Sequence, residues 1–379
     1  MASTETDHAV YLDKPEEVDL FLTEISSVTE LALDTEGASF HRFLDRIYLL
    51  QVSTREKSAI IDPLPIGSPT GLGALLESKS VEVVFHDADY DLRLLHQDYG
   101  WHVANIFDTR IAAQLLGIKS FGLAALLEQF FDVKLDKKHQ RADWSMRPLT
   151  RDMLEYAAQD TRYLLQLKDH MKSDLERRGR LHWAQEEFAR LEGTRWDAED
   201  AMEGFLRLKG ARDLTRPELA VLRELVNWRD TVAAQLDRAT FRVMGNEVLL
   251  DLSRNPPRSV SELAAIKGMP KGMIDRAGAD IIAAVRRGLE VPEAELPRFP
   301  KSQRWNKDKE FDARVVRLKG VRDEVARDLD LDPGVLCSRE RLENIARSDA
   351  KGPTELEAVP GLRRWQIELM GAGFIHALQ

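Results

Sequence analysis

Residues 29–40 read TELALDTEGASF. Leu31, Ala32 and Leu33 form an apolar run that stops at two acids, Asp34 and Glu36, with Gly37 behind them. In a strand, side chains two apart point to the same side, so both carboxylates aim at one point. Like charges so close resist burial. The pair is therefore a solvated turn, a turn in which Asp34 caps a helix starting near Gly37, or part of a cation site. Hard carboxylate oxygens without Cys or clustered His suit Mg²⁺ or Mn²⁺ better than Zn²⁺.

Comparable segments follow. ELALDTE (30–36), RIYLLQVS (46–53), SAIID (58–62) and VEVVFH (81–86) have the length and the branched or aromatic content of strands. GLGALLES (71–78), DYDLRLLHQDY (89–99), DTRIAAQLLG (108–117) and FGLAALLEQFF (121–131) carry helical spacing. Residues 151–178 read as one long amphipathic helix through Leu154, Leu164, Leu165 and Leu167. Three consecutive strands and a helix-linked fourth predict an α/β layer fold, a mixed sheet flanked by helices.

From about residue 205 the pattern is all helical and repeats itself. At an offset of 93, LVNWRDTVAAQLD (225–237) lies over LKGVRDEVARDLD (318–330), and SELAAIKGM (261–269) over TELEAVPGL (354–362). The glycine pair Gly268 and Gly278 lies over Gly361 and Gly371. Two related helical modules are predicted, joined by VPEAELPRFPKSQRW (291–305) with its three prolines. The domain expectation is thus 1–204, 205–290, a linker at 291–304, and 305–379.

The chain of 379 residues has a globular composition, 43% hydrophobic and 31% charged. No apolar run approaches the ~20 residues needed to span a membrane. MASTETDHAVYLDKPEE lacks the layout of a signal peptide. Cys337 is the single cysteine, which excludes an intrachain disulfide and a thiolate metal cluster. A cytoplasmic location follows by elimination. The net charge of −10 argues against nucleic acid only on average. Residues 1–206 carry −14, residues 207–290 carry +4, and residues 300–379 are near neutral.

Two further acidic stretches stand out. In FHDADYDLRLL (85–95) a strand empties into a helix, where sheet proteins of this class assemble sites. Asp87, Asp89 and Asp91 compete there; one of the first two is expected to cap the helix, and His86 to hydrogen-bond at the strand end. In LEYAAQDTRYLL (154–165), Tyr156 and Asp160 stand four apart, one turn along a shared helix face.

Taken in order, D-x-E on a strand, an Asp after a strand and Y-x₃-D on a later helix resemble the tyrosine subgroup of the DEDD exonuclease superfamily. LALDTEG, FHDADYDLRLL, DTRIAAQLL, DWSMRPL and YAAQDTRYLL resemble its ribonuclease D branch over residues 10–180. The two modules resemble helicase-and-RNase-D C-terminal (HRDC) domains. The resemblance implies a ribonuclease-H-like sheet followed by two all-α HRDC-like domains, and a 3′–5′ exoribonuclease acting on structured RNA such as tRNA precursors. It assigns Asp34, Glu36, Asp91 and Asp160 to two divalent metal ions, Mg²⁺ or Mn²⁺. It places Tyr156 where the attacking water is held. Asp91 is chosen because the family sets that acid five residues after the histidine, here His86. At Gly37 and the following SFHR the chain departs from the bulkier residue of some members, in the pocket for the terminal nucleotide.

Substrate affinity is expected from the basic first module, with Trp228. It is also expected from KKHQRADWSMRP (137–148), whose four basic residues, Arg147 among them, stand beside Trp144. Trp144 equally fits a loop anchored on the core. A DNA exonuclease and a non-catalytic nucleic-acid-binding protein remain the alternatives, and a monomer is the expected state.

Overall fold

The structure is a computed structural model that describes residues 9–136, 138–197, 204–269, 271–300, 309–348 and 350–379. Residues 301–304 of the expected linker, and residues 198–203 and 305 at the expected domain boundaries, lie outside the described residues. By contacts the chain divides into two compact units, so far as its residues are described. One takes in Met1–Gly37, Ile47–Trp196 and Trp305–Gln379, the other Ala38–Arg46 and Asp197–Arg304.

The first unit is built on a six-stranded sheet: β1 (Val10–Leu12), β2 (Glu30–Glu36), β3 (Leu49–Ser53), β4 (Ser58–Ile61), β5 (Glu82–Phe85) and β6 (Ile106–Asp108). Their order is β1-β4-β3-β2-β5-β6. β2 runs antiparallel to β3 and parallel to β5, so the sheet is mixed. β2 and β3 are central and covered on both faces, which is why they read as near-continuous apolar runs. Leu31, Leu33, Leu50, Val52, Val83 and Phe85 face one core. Ala32, Val84 and Phe107 face the other, where Leu164, Leu165, Leu167 and Met171 pack. The alternation decides the site: Asp34 and Glu36, even-numbered like Ala32, leave β2 on that second face.

Several elements differ from the expectation. The predicted long helix is two, Arg151–Arg162 and Leu164–Arg177, with the hydrogen-bond ladder interrupted at Tyr163. β1 and β6 are strands of three residues, too short to show a period. Pro15–Glu24 is a further helix, started by Pro15 with Glu16 and Glu17 in its first turn.

The same unit contains the second helical module. Its residues Phe311, Leu318, Trp365 and Phe374 join the core that holds Trp183 and Phe188. The rings of Trp183 and Trp365 stack at 4.9 Å. The Trp365 indole N–H donates to Glu187 at 3.2 Å, and Glu186 accepts from the backbone N–H groups of Arg364 and Trp365. Gly117 has φ +78°, and a Cβ there would lie 2.5 Å from the Asp330 carbonyl oxygen, so only glycine fits that approach.

The other unit is centred on helices Arg216–Leu236 and Lys271–Leu289. Thr215 and Glu218 close a capping box at the start of the first. Gly288 lets the second approach so closely that a Cβ there would sit 2.4 Å from the Val221 Cα. The 93-residue repeat is carried through the structure element by element: Arg216–Leu236 answers to Lys309–Asp328, Asn246–Arg254 to Arg339–Arg347, and Lys271–Leu289 to Arg364–Leu378. Gly268 and Gly361 have φ +82° and +80°, and Asp237 and Asp330 end their helices at +44° and +49°. The aligned glycines thus mark left-handed turns, which favour glycine.

Candidate active site

Four segments converge where β2 ends. The Arg151–Arg162 helix begins at Thr150, whose hydroxyl accepts from the Met153 N–H. Met153, Ala157 and Thr161 form its buried stripe, four residues apart, and the Thr161 hydroxyl bonds Ser53 of β3 at 2.7 Å. Tyr156 and Asp160 each precede a stripe residue by one, so they lie on the flank of the docked face. Asp34, Glu36 and Asp160 each bring a carboxylate oxygen to within 4.8 Å of the others.

Asp91 sits in the first turn of helix Asp89–Tyr99 and is 5% exposed. Its Oδ1 accepts from the Thr35 N–H at 3.0 Å and from the Thr35 hydroxyl at 2.6 Å. The strand residue between the two acids thus holds the third. Asp87 pairs with Arg110 and Asp89 with Arg93. The expected cap at Asp87 or Asp89 is corrected: Ala88 is the N-cap position, and its N–H is bound by Asp108. His86 bonds the Thr109 hydroxyl at 2.9 Å, and burial, with Arg110, holds its pKa down at about 4.

The cluster repels itself. Burial pushes the Asp34 carboxyl well up, with the Asp160 charge adding to it. Burial and then Asp34, Asp160 and Asp91 do the same to Glu36. Asp91 is raised by burial and by Asp34, against its bonds to Thr35. Asp160 is pushed up to about 7 by burial and by Asp91. Among the described residues, no Lys or Arg offsets these shifts. Three oxygens within reach of one point, without nitrogen or sulfur donors, fit a hard divalent cation.

Tyr156 lies between two rings, His139 and Trp144, each with its centroid 6.0 Å away. Burial and the charges of Asp160, Glu36 and Asp34 raise its phenol pKa.

The residues expected to contact nucleic acid are engaged inside the fold. Trp144 is 1% exposed and Trp228, inside the Arg216–Leu236 core, is 8% exposed, so neither offers a ring face to a base. Arg147 binds Asp62 and the carbonyls of Trp144, Met146 and Tyr48. It is a clamp on a buried carboxylate. The Asp62 carboxyl stays below its usual range although burial raises it, because Arg147 and Tyr11 bond it. Arg147→Met leaves the buried Asp62 charge without its cation, and urea denaturation should show a loss of about 3 kcal/mol. A variant of wild-type stability that binds RNA weakly would restore the earlier reading.

Two residues escaped the sequence reading. Gln51 of β3 is fully buried, and neither side-chain polar atom has a hydrogen-bond partner among the described residues. The signal was present, a lone amide inside YLLQVS. The second is the exposed Phe40, which meets exposed Phe241 edge-on at 6.3 Å within the second unit. There Arg242 donates to the Phe40 carbonyl and Arg42 pairs with Asp237.

The chain matches the model of a 3′–5′ exonuclease over residues 9–176, and that of the HRDC domain over residues 218–285 and 311–378. It is 31% identical to a ribonuclease D of Desulfotalea psychrophila, over 86% of this chain and 87% of that one. Among solved structures it resembles a Bifidobacterium adolescentis protein, with a TM-score of 0.83 and 25% identity over 100% of this chain and 99% of the other. It also resembles Escherichia coli RNase D, described as an exoribonuclease involved in structured RNA processing. That TM-score is 0.75, with 25% identity over 98% of this chain and 99% of the other.

Proposed function

We propose that this chain, which belongs to the ribonuclease D family and is a 3′–5′ exoribonuclease of that type, releases nucleoside 5′-monophosphates stepwise from structured RNA. tRNA precursors in the cytoplasm are the expected substrates. Asp34, Glu36, Asp91 and Asp160 would hold two divalent ions, Mg²⁺ or Mn²⁺. Such ions supply charge to the attacking and leaving oxygens of an in-line displacement and lower the pKa of the attacking water. The observation that carries the reading is the convergence of three uncompensated carboxylates within 4.8 Å.

The protein's own groups then have separate tasks. β2 fixes Asp34 and Glu36 on one face, and Thr35 orients Asp91. The helix docked through Thr161 brings Asp160 and Tyr156 together. The Tyr156 hydroxyl would orient the attacking water, or take its proton where bound cations lower the phenol pKa.

Functionally we divide the chain into an exonuclease domain (1–204), a first HRDC-like domain (205–290), a linker (291–304) and a second HRDC-like domain (305–379). Within the second unit, exposed Phe40, Phe43 and Phe241 with Arg42 and Arg242 suit base stacking and phosphate contact better than the buried tryptophans.

RNA and DNA oligonucleotides of one sequence, each with a free 3′ end, test the reading. The expected result is a ladder of 5′-monophosphate products from RNA, abolished by EDTA and restored by Mg²⁺ or Mn²⁺. Faster DNA degradation, or activity that survives EDTA, would overturn it.

A further inference from the structure

Gln51 occupies a position that packing alone does not explain. It is fully buried in the middle of β3, and both polar atoms of its side chain lack partners among the described residues. Leaving buried donors and acceptors unpaired is costly, whereas an apolar side chain of that length would cost nothing. Its neighbours Leu50 and Val52 belong to the core on the far face of the sheet. Alternation therefore turns Gln51 to the near face, with Ser53 and the helix that carries Tyr156 and Asp160. Across the antiparallel ladder, Gln51 is paired directly with Asp34. Side chains opposed in this way share a face, with Cβ atoms about 5 Å apart. The orphaned amide and the central acid of the cluster are thus register partners.

We propose that Gln51 is a positioning residue for the cation site: once a cation binds, its amide turns to the facing Asp34 carboxylate and to water shared with the cation, and holds both in the ligating orientation. The inference rests on the reading of the cluster as a divalent-cation site, and adds a non-ligating residue on which its affinity depends. Groups that orient metal ligands in this way are worth about 10–100-fold in affinity.

The test uses the full chain and Mn²⁺, with free ion counted by electron paramagnetic resonance. Gln51→Met keeps the length and removes the amide; Gln51→Leu repeats the test with a branched side chain. Expected are Mn²⁺ binding about 10–100-fold weaker than wild type, a cation-free melting temperature at or above wild type, and activity that recovers as Mn²⁺ is raised. Wild-type Mn²⁺ affinity in both variants would overturn the inference. So would a fall in the cation-free melting temperature with activity that excess Mn²⁺ does not restore, because Gln51 would then serve packing. A wild-type chain that binds no more Mn²⁺ than Asp34→Asn would bring down the cation-site reading itself.

Discussion

Asp160→Asn should raise the melting temperature of the cation-free protein by about 4 °C while lowering RNA hydrolysis about 1,000-fold or more. Both effects come from one charge. Asp160 is pushed up from 3.8 to about 7 by burial and by Asp91, and no basic side chain among the described residues compensates it. A shift of that size is worth roughly 4 kcal/mol in full. Solvent reaching the half-buried carboxyl reduces it, and about 2 kcal/mol is the working figure. Between the two pKa values the folded protein holds a proton that the unfolded chain gives up, so stability falls as pH rises. The penalty is absent below about pH 4 and complete above about pH 7. The advantage of Asn should therefore be small in mild acid and full above neutrality. Mn²⁺ should narrow the gap, since it stabilises the wild-type cluster more than the variant. Differential scanning calorimetry across pH, with and without Mn²⁺, reads all three effects. A variant less stable than wild type at neutral pH would contradict the self-repulsion.

Tyr156→Phe should lower kcat about 100- to 1,000-fold and leave KM and Mn²⁺ affinity near wild type. The phenol sits among three carboxylates and under partial burial, all of which raise its pKa. In the cation-free protein it stays protonated at neutral pH. Its ring, which packs against His139 and Trp144, is retained by Phe. Removing the hydroxyl therefore takes away a hydrogen bond to the reacting water and little else. Single-turnover hydrolysis of a short RNA separates the chemical step from binding. A KM effect with unchanged kcat would move Tyr156 from the chemistry to substrate binding.

Much of this geometry is legible in the sequence because β2 and β3 are central strands. Their apolar runs mark them, and the period of two places Asp34 and Glu36 together before any helix is known. Asp160 and Tyr156 follow from helical spacing, although spacing alone could not dock that helix on β3; Ser53 and Thr161 do so through one hydrogen bond. Asp91 was beyond spacing. The structure separates it from Asp87 and Asp89 by partner: those two take arginines, and Asp91 takes Thr35. At Trp144, Trp228 and Arg147 the sequence left the surroundings open: Trp144 takes the core-anchored place that its loop equally fitted, and Trp228 and Arg147 are engaged inside the fold. A tryptophan beside basic residues has the same local sequence whether its ring faces solvent or the core, and an arginine can equally reach a phosphate or a buried Asp62. β1 and β6 were missed for want of length.

The 93-residue repeat also bears on how the two copies have been free to change. Trp365, stacked on Trp183 in the core of the first unit, has Gly272 as its counterpart in the other copy. One duplicate has given up a surface to become part of its neighbour's interior, and its helix is tied to Glu186 and Glu187. The other carries an exposed glycine at that position. Descent from a common module has therefore left two non-interchangeable parts: one whose drift is limited by an adjoining core, and one whose outer face is open to selection by whatever it meets.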